Sequence, residues 1–212
     1  MTDRRAEILA VCGGGRCGTS LVMQMLAAAG VPWLGTPVSG EDDRFRHHLD
    51  AIAQARGHAV KLLCPPLDPD NIPPAVAAER VAWIWLRRDA SQQAESHGKW
   101  LAKVTGMPRP SRKHLGRVGN GLRRLNQRAP QRLQALAGHR LLVLDFEDLV
   151  DIQGRGGHRS AVAVARFAGL NSWGPATSKM LQCIRDRGPR GASCLSGFLE
   201  MDLMAEENDR GE

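Results

Sequence analysis

Apolar positions along this chain switch between two spacings, and the switches mark out its elements. Ile8, Leu9, Ala10, Val11 and Cys12 form an unbroken apolar run of strand length, as an inner strand of a parallel sheet covered on both faces requires. Past the glycines that follow, Leu21, Val22, Met25, Leu26 and Ala29 recur at helical spacing. Further short apolar runs predict strands over 31–35, 58–63, 81–86 and 140–146. The run 81–86 is the most strand-like and is placed centrally.

Helical spacing predicts a helix that opens with Glu41, Asp42 and Asp43 and continues past Phe45, Leu49, Ile52 and Ala55, a brief one over 75–79, and another over 90–104. One or two basic helices follow over 112–136, with Leu115, Val118, Leu122, Leu125, Leu133 and Leu136 as the buried stripe, then an amphipathic helix over 162–170. The segments 36–40, 64–74 and 105–111 read as loops. Beyond Asn171 the chain reads as poor in regular pattern, with an acidic end. Strands that alternate with helices specify an α/β fold: a three-layer, P-loop-type parallel β-sheet with helices on both faces.

Composition narrows this to one domain. With 212 residues and 42% hydrophobic content, a second full domain would be cramped, so 1–212 is expected as a single unit with its core over about 7–170. The first apolar run is too short for a secretory signal, and no run approaches the roughly 18 residues of a membrane span. A soluble, cytoplasmic protein with no membrane partner is expected. Cys12, Cys17, Cys64, Cys183 and Cys194 are odd in number and scattered, so reduced thiols are expected, with neither a disulfide framework nor a zinc site. Cys17 is either a reactive thiol or a small filler.

The net charge of +7 is unevenly spread. From Arg87 to Arg140 there are thirteen Lys and Arg against Asp89 and Glu95, whereas 200–212 is mostly acidic. A basic middle suits an anionic ligand, nucleic acid included, or is simply a solvated helix face.

The chemistry concentrates at two strand ends. Gly13, Gly14 and Gly15 let a bulky ligand approach the main chain, and Gly18-Thr19-Ser20 sets small and hydroxyl-bearing residues where a helix begins. The helix amides and the positive end of its dipole then point back into the bend, which makes a cradle for phosphate or sulfate. The triphosphatase pattern GxxxxGK[ST] needs Lys where Thr19 stands. The dinucleotide pattern GxGxxG fits Gly13, Gly15 and Gly18 in spacing, but two hydroxyl residues follow the third glycine and no acid closes a second strand about 20 residues on. At the second strand end stand Arg87-Arg88-Asp89, followed by a helix that carries Ser96. A guanidinium and a hydroxyl eight residues apart, two helical turns on, can close around one phosphate. Two anion sites point to a ligand phosphorylated at two places.

The pair resembles the sulfotransferase family that uses 3′-phosphoadenosine 5′-phosphosulfate (PAPS). Gly15-Arg16-Cys17-Gly18-Thr19-Ser20 follows that family's PRSGTS loop with Gly for Pro and Cys for Ser, and Arg88-Asp89-Ala90 through Ser96 keeps the spacing of RDPxxxxxS with Ala for Pro. A weaker echo of the family's strand-plus-acid pattern is Leu144-Asp145-Phe146-Glu147-Asp148-Leu149. The resemblance implies sulfuryl transfer from PAPS to a hydroxyl or amine on a small-molecule or glycan acceptor, without a metal. It implies that Gly14, Gly15, Arg16, Cys17, Gly18, Thr19 and Ser20 hold the phosphosulfate, that Arg88 and Ser96 hold the 3′-phosphate, and that Arg16 stabilises the developing charge.

Many members place a His in a KTHLP-like segment, where this chain has Lys61-Leu62-Leu63-Cys64-Pro65, so that base is missing. Glu41 is the expected base, since other branches take a carboxylate from the helix after the second strand; His47 and His48 read as surface residues. The family's late RKGxxGDWK element has only a cationic, Gly-rich stand-in, in which Arg187 and Arg190 are the candidate phosphate contacts. Two other readings stay open: a nucleotide- or nucleic-acid-binding module without turnover, and a small-molecule kinase with an atypical cradle.

Overall fold

The first apolar run is buried along its whole length because its alternate side chains enter two different cores. Leu9 and Val11 join one apolar cluster, and Ile8, Ala10 and Cys12 join the other. The computed structural model describes residues 8–36, 41–46, 49–63, 76, 80–136 and 140–187. Its strands are β1 (Ile8–Gly13), β2 (Trp33–Leu34), β3 (Ala59–Leu63), β4 (Val81–Arg87) and β5 (Arg140–Asp145). They form one sheet in the order β2-β3-β1-β4-β5, with every pairing parallel. The middle strand is therefore β1, and β4 stands next to it rather than at the centre.

The helices are α1 (Thr19–Ala28), α2 (Asp43–Arg46), a 3-10 helix (Leu49–Ala55), α3 (Ala90–Thr105), α4 (Arg112–Gln134), α5 (Phe146–Leu149), α6 (Gly156–Phe167) and α7 (Pro175–Arg187). On one face of the sheet, Leu21, Val22, Met25 and Leu26 of α1 pack with Val164 of α6 and with Met180 and Ile184 of α7. On the other face, Trp83 and Trp85 are fully buried beneath Phe45, Ile52, and Ala129 and Leu133 of α4. Large aromatic rings dominate the energetics of such a layer. The expected α/β architecture with helices on both faces is present.

Helix α3 departs from that layering. None of its residues belongs to either sheet-face cluster, and its main packing partner is α4. The two run antiparallel: a Cβ on Gly119 would lie 3.8 Å from the Ala94 Cβ, and one on Gly98 would press 2.7 Å from Leu115 Cδ2. Farther along α4, Leu122 reaches the Gly14 loop, and only the last turns lie on the sheet. Residues 90–121 therefore form a two-helix arm that rises past the C-terminal strand ends. Sixteen residues of α3 give it a reach of about 24 Å. Asp89 starts α3 by accepting from the amides of Ser91 and Gln92, and Ser111 starts α4 by accepting from that of His114.

Several expectations shift. The stretch after Glu41 forms α2 and a separate 3-10 helix rather than one helix, with Asp42 Oδ1 accepting from the Arg44 amide at its start. The 112–136 region is one continuous helix despite Pro130, and the expected stripe faces inward. Helix α6 begins six residues earlier than its apolar pattern shows, since Gly156 and Gly157 are too small to register as apolar yet are buried against Asp151. The irregular C-terminal segment contains α7, which opens on Pro175, a residue suited to the first helical position. Its stripe of Thr177, Met180 and Ile184 is buried. The 75–79 helix, the 64–74 loop, His47, His48, Arg190 and the acidic end lie wholly or almost wholly outside the described residues. Among the described residues, no helix is long and apolar enough to cross a membrane.

Candidate anion-binding site

Strand order fixes where the site can lie. From β1 the chain crosses towards β2 and β3, and from β4 it leaves towards β5, so the loops after β1 and β4 diverge at the C-terminal edge. Ligands of open parallel sheets bind at such a switch point. Both sequence motifs end there.

The bend after β1 is packed too closely for side chains. A Cβ on Gly13 would collide with the Leu86 carbonyl, and one on Gly18, whose φ is 99°, would lie 2.6 Å from the Phe146 ring. Gly15 differs, because a Cβ there would meet no atom within 4 Å. Gly18 starts α1 in a left-handed conformation, and the first helical hydrogen bonds run from Leu21 and Val22 back to its carbonyl. The amides just before Leu21 have no acceptor within the helix itself, as at any helix start. Arg16 has φ 70°, the only positive φ at a non-glycine among the described residues. That conformation costs about 1–2 kcal/mol and needs support from its surroundings.

The support comes from the second motif. Arg88 Nη1 donates to the Arg16 carbonyl at 3.3 Å, Gln93 Nε2 donates to the Gly15 carbonyl at 2.8 Å, and Arg16 Nε donates to Ser96 Oγ at 3.4 Å. Loop and helix thus share one cleft. Arg88 lies over the Phe146 ring at 4.5 Å, and the same ring walls Gly18. Burial, and then the charge of Arg88, lower the pKa of Arg16. The strand-plus-acid echo forms the back of this site: Glu147 accepts from the Asp89 amide at 3.1 Å, and Asp145 takes Arg87 in a two-pronged pair at 2.6 and 2.8 Å.

A third cation stands opposite. Lys61, on β3 and 5% exposed, donates to Ser20 Oγ at 3.0 Å and to Glu41 Oε1 at 2.8 Å. Burial lowers its pKa, against the opposing pull of Glu41. Glu41 is therefore near the cradle as expected, but its carboxylate is engaged by Lys61. His97, beside Ser96, has its pKa lowered by burial first, then by Arg16 and by His114.

Of the expected site residues, 14–20, Glu41, Arg88 and Ser96 converge on the β1/β4 strand ends. Cys17 is fully buried and packs where a Gly13 side chain would go, so it is a filler rather than an exposed thiol. Arg187 ends α7, and its side chain lies outside the described residues.

Four contributors escaped the sequence reading: Lys61, Gln93, Phe146 and Asn126. Lys61 is the one charged residue in its strand, which is itself a signal. Gln93 is three residues before Ser96 on α3, and Asn126 interrupts the apolar stripe of α4 to donate to the Arg88 carbonyl at 3.4 Å. Among the described residues, no cluster of His, Cys, Asp and Glu is arranged to hold a metal. No protein-family model matches the chain, and no curated protein matches it significantly.

Proposed function

We propose that this chain is a PAPS-dependent sulfotransferase built on a P-loop-type cradle. The observation that carries the reading is the contact between the motifs: Arg16 of the loop touches Ser96, and Arg88 touches the Arg16 carbonyl. One cleft then holds a helix-start cradle and three cations, Arg16, Lys61 and Arg88, with the Glu41 carboxylate held by Lys61 and that of Glu147 by the Asp89 amide. That donor set fits a ligand with an anionic group at each end. Arg88 Nε fits it as well, because it is buried without an acceptor among the described residues, and an anion oxygen satisfies such a donor.

PAPS, when bound, supplies an activated sulfuryl group on a phosphate leaving group. Gly14 to Ser20 would hold the phosphosulfate end, and Arg88 with Ser96 the 3′-phosphate. Lys61 and Arg16 would offset the negative charge that grows on the leaving oxygen. Glu41 would take the acceptor proton as the new oxygen–sulfur bond forms, with Lys61 aligning its carboxylate. Sulfuryl transfer by these groups needs no metal.

The test is a thermal-shift panel with adenosine 3′,5′-bisphosphate, ATP, NAD and NADP. Stabilisation by the bisphosphate alone, lost in Arg88→Ala, supports the reading. Stabilisation by ATP with magnesium-dependent turnover, or by NAD, overturns it. The bond from Lys61 to Glu41 favours one second reading, a protein that binds the nucleotide without turnover, because it occupies the expected base. Bisphosphate binding with no sulfated product from PAPS across hydroxyl and amine acceptors would select it.

A further inference from the structure

The arm and the turns of α4 that continue from it carry two features that the anion site does not use. The first is charge. Lys113, Arg117, Arg124 and Arg128 are spaced four, seven and four residues apart, which places them along one line of α4 that is about 22 Å long. All four are exposed, α4 contains no acidic residue, and among the described residues none of the four pairs with a carboxylate. Glu95, the only acid in 90–134, is taken by Arg109.

The second feature is apolar. Val104 and Met107, 51% and 66% exposed, stand at the tip where α3 gives way to α4, with Arg112 and Lys113 close behind. A lone exposed apolar side chain is ordinary. This pair crowns a projecting hairpin whose flanks are cationic.

We propose that the arm is a peripheral docking element, seating the α4 cation line and the Val104/Met107 tip on an anionic lipid surface. A soluble polyanion would satisfy the charges but leave the tip in water. Helix α4 also has no Phe, Tyr or Trp beside its cations on which nucleic-acid bases could stack, and Trp100 of α3 is half-buried next to His97. A bilayer satisfies both features: its headgroups offer phosphates and carboxylates to Lys and Arg, and its acyl boundary accepts valine and methionine. That no helix among the described residues can span a bilayer bears on crossing one, not on resting against one. This inference goes beyond sulfuryl transfer and does not depend on it; its consequence is that the cleft beside the arm opens at a lipid–water boundary.

The test is co-sedimentation of the full-length protein with phosphatidylcholine vesicles, alone and mixed with phosphatidylserine. Binding to the mixed vesicles only, weakening as salt rises, is expected. At roughly fivefold per charge lost, the double variant Lys113→Glu, Arg117→Glu should cut partitioning by more than about tenfold, with an unchanged melting temperature because both sites are exposed. Met107→Asp should weaken binding further at high salt, where charge is screened. Equal binding to neutral vesicles, no binding to mixed ones, or binding to heparin or duplex DNA under salt conditions that release the vesicles would each overturn it. Bisphosphate affinity measured alongside keeps the two proposals separate, since vesicle binding without it sinks only the sulfotransferase reading.

Discussion

As proposed sites, the cradle and the arm would handle anions in opposite ways. The cradle uses main chain locked between two cores: β1 is buried on both faces, and neighbouring atoms dictate its glycines. The arm uses side chains on two helices whose main contacts are with each other. A fixed backbone gives a site of defined shape, whereas exposed cations on a projecting hairpin give attraction without shape. Under the two proposals, affinity for one small ligand would belong to the first, and adhesion to an extended surface to the second.

The sharpest way to break this contrast is to fill the cradle. Gly13→Val drives a side chain into the Leu86 carbonyl and the Cys17 sulfur, and should cost about 3 kcal/mol or more. For a chain of this size that is a fall in melting temperature of roughly 10 °C, readable by calorimetry. Next comes Arg88→Ala, which removes a charge-assisted contact and should weaken adenosine bisphosphate binding about 10- to 100-fold by isothermal titration.

Lys61 sharpens the comparison through pH. Its pKa lies below the ordinary 10.5, chiefly because of burial, so its charge disappears at a lower pH than that of an exposed lysine. Bisphosphate affinity should therefore begin to fall below pH 10.5, and Lys61→Arg should move that fall upward. Stability has the opposite sign. Between the lowered value and 10.5 the unfolded chain binds more protons than the folded one, so this group's contribution to stability improves as pH rises through that window.

Arg16→Gly should separate strain from function. It relieves the left-handed backbone and should raise stability by about 1 kcal/mol in denaturant titration, while bisphosphate binding weakens. The smallest effect belongs to the arm. A Cβ on Gly116 or Gly121 of α4 would meet no atom within 4 Å, so Gly→Ala at either should add up to about 1 kcal/mol of local helix stability. Hydrogen exchange should slow in 112–121 and stay unchanged in β1.

The same division explains what could be read from sequence. The apolar runs of β1, β3 and β4 were legible because burial on both faces leaves a nearly unbroken signal. That of the half-buried edge strand β5 was legible because four of its six residues are apolar in a row, and the two candidate anion motifs because their spacing is local. Lys61 reaches Ser20, Gln93 reaches Gly15 and Asn126 reaches Arg88 across 38 to 78 residues of chain, Phe146 walls a glycine farther away still, and no local pattern announces such partners. Helix α7 is a different case. Its apolar stripe was present, but serine and lysine between Thr177 and Met180, and arginine directly after Ile184, masked it. The overhang of α3 was also hidden, since a helix packed on one partner helix shows the same periodicity as one packed on a sheet.

Because α3 and α4 lean mainly on each other beyond Gly14, the bend between them is insulated from the sheet's register. Matched turns could be added to or removed from both helices around 105–111 without disturbing a single strand pairing. The reach of this projection is thus open to gradual evolutionary tuning, while Gly13, Gly14 and Gly18 of the neighbouring bend leave no room for a side chain.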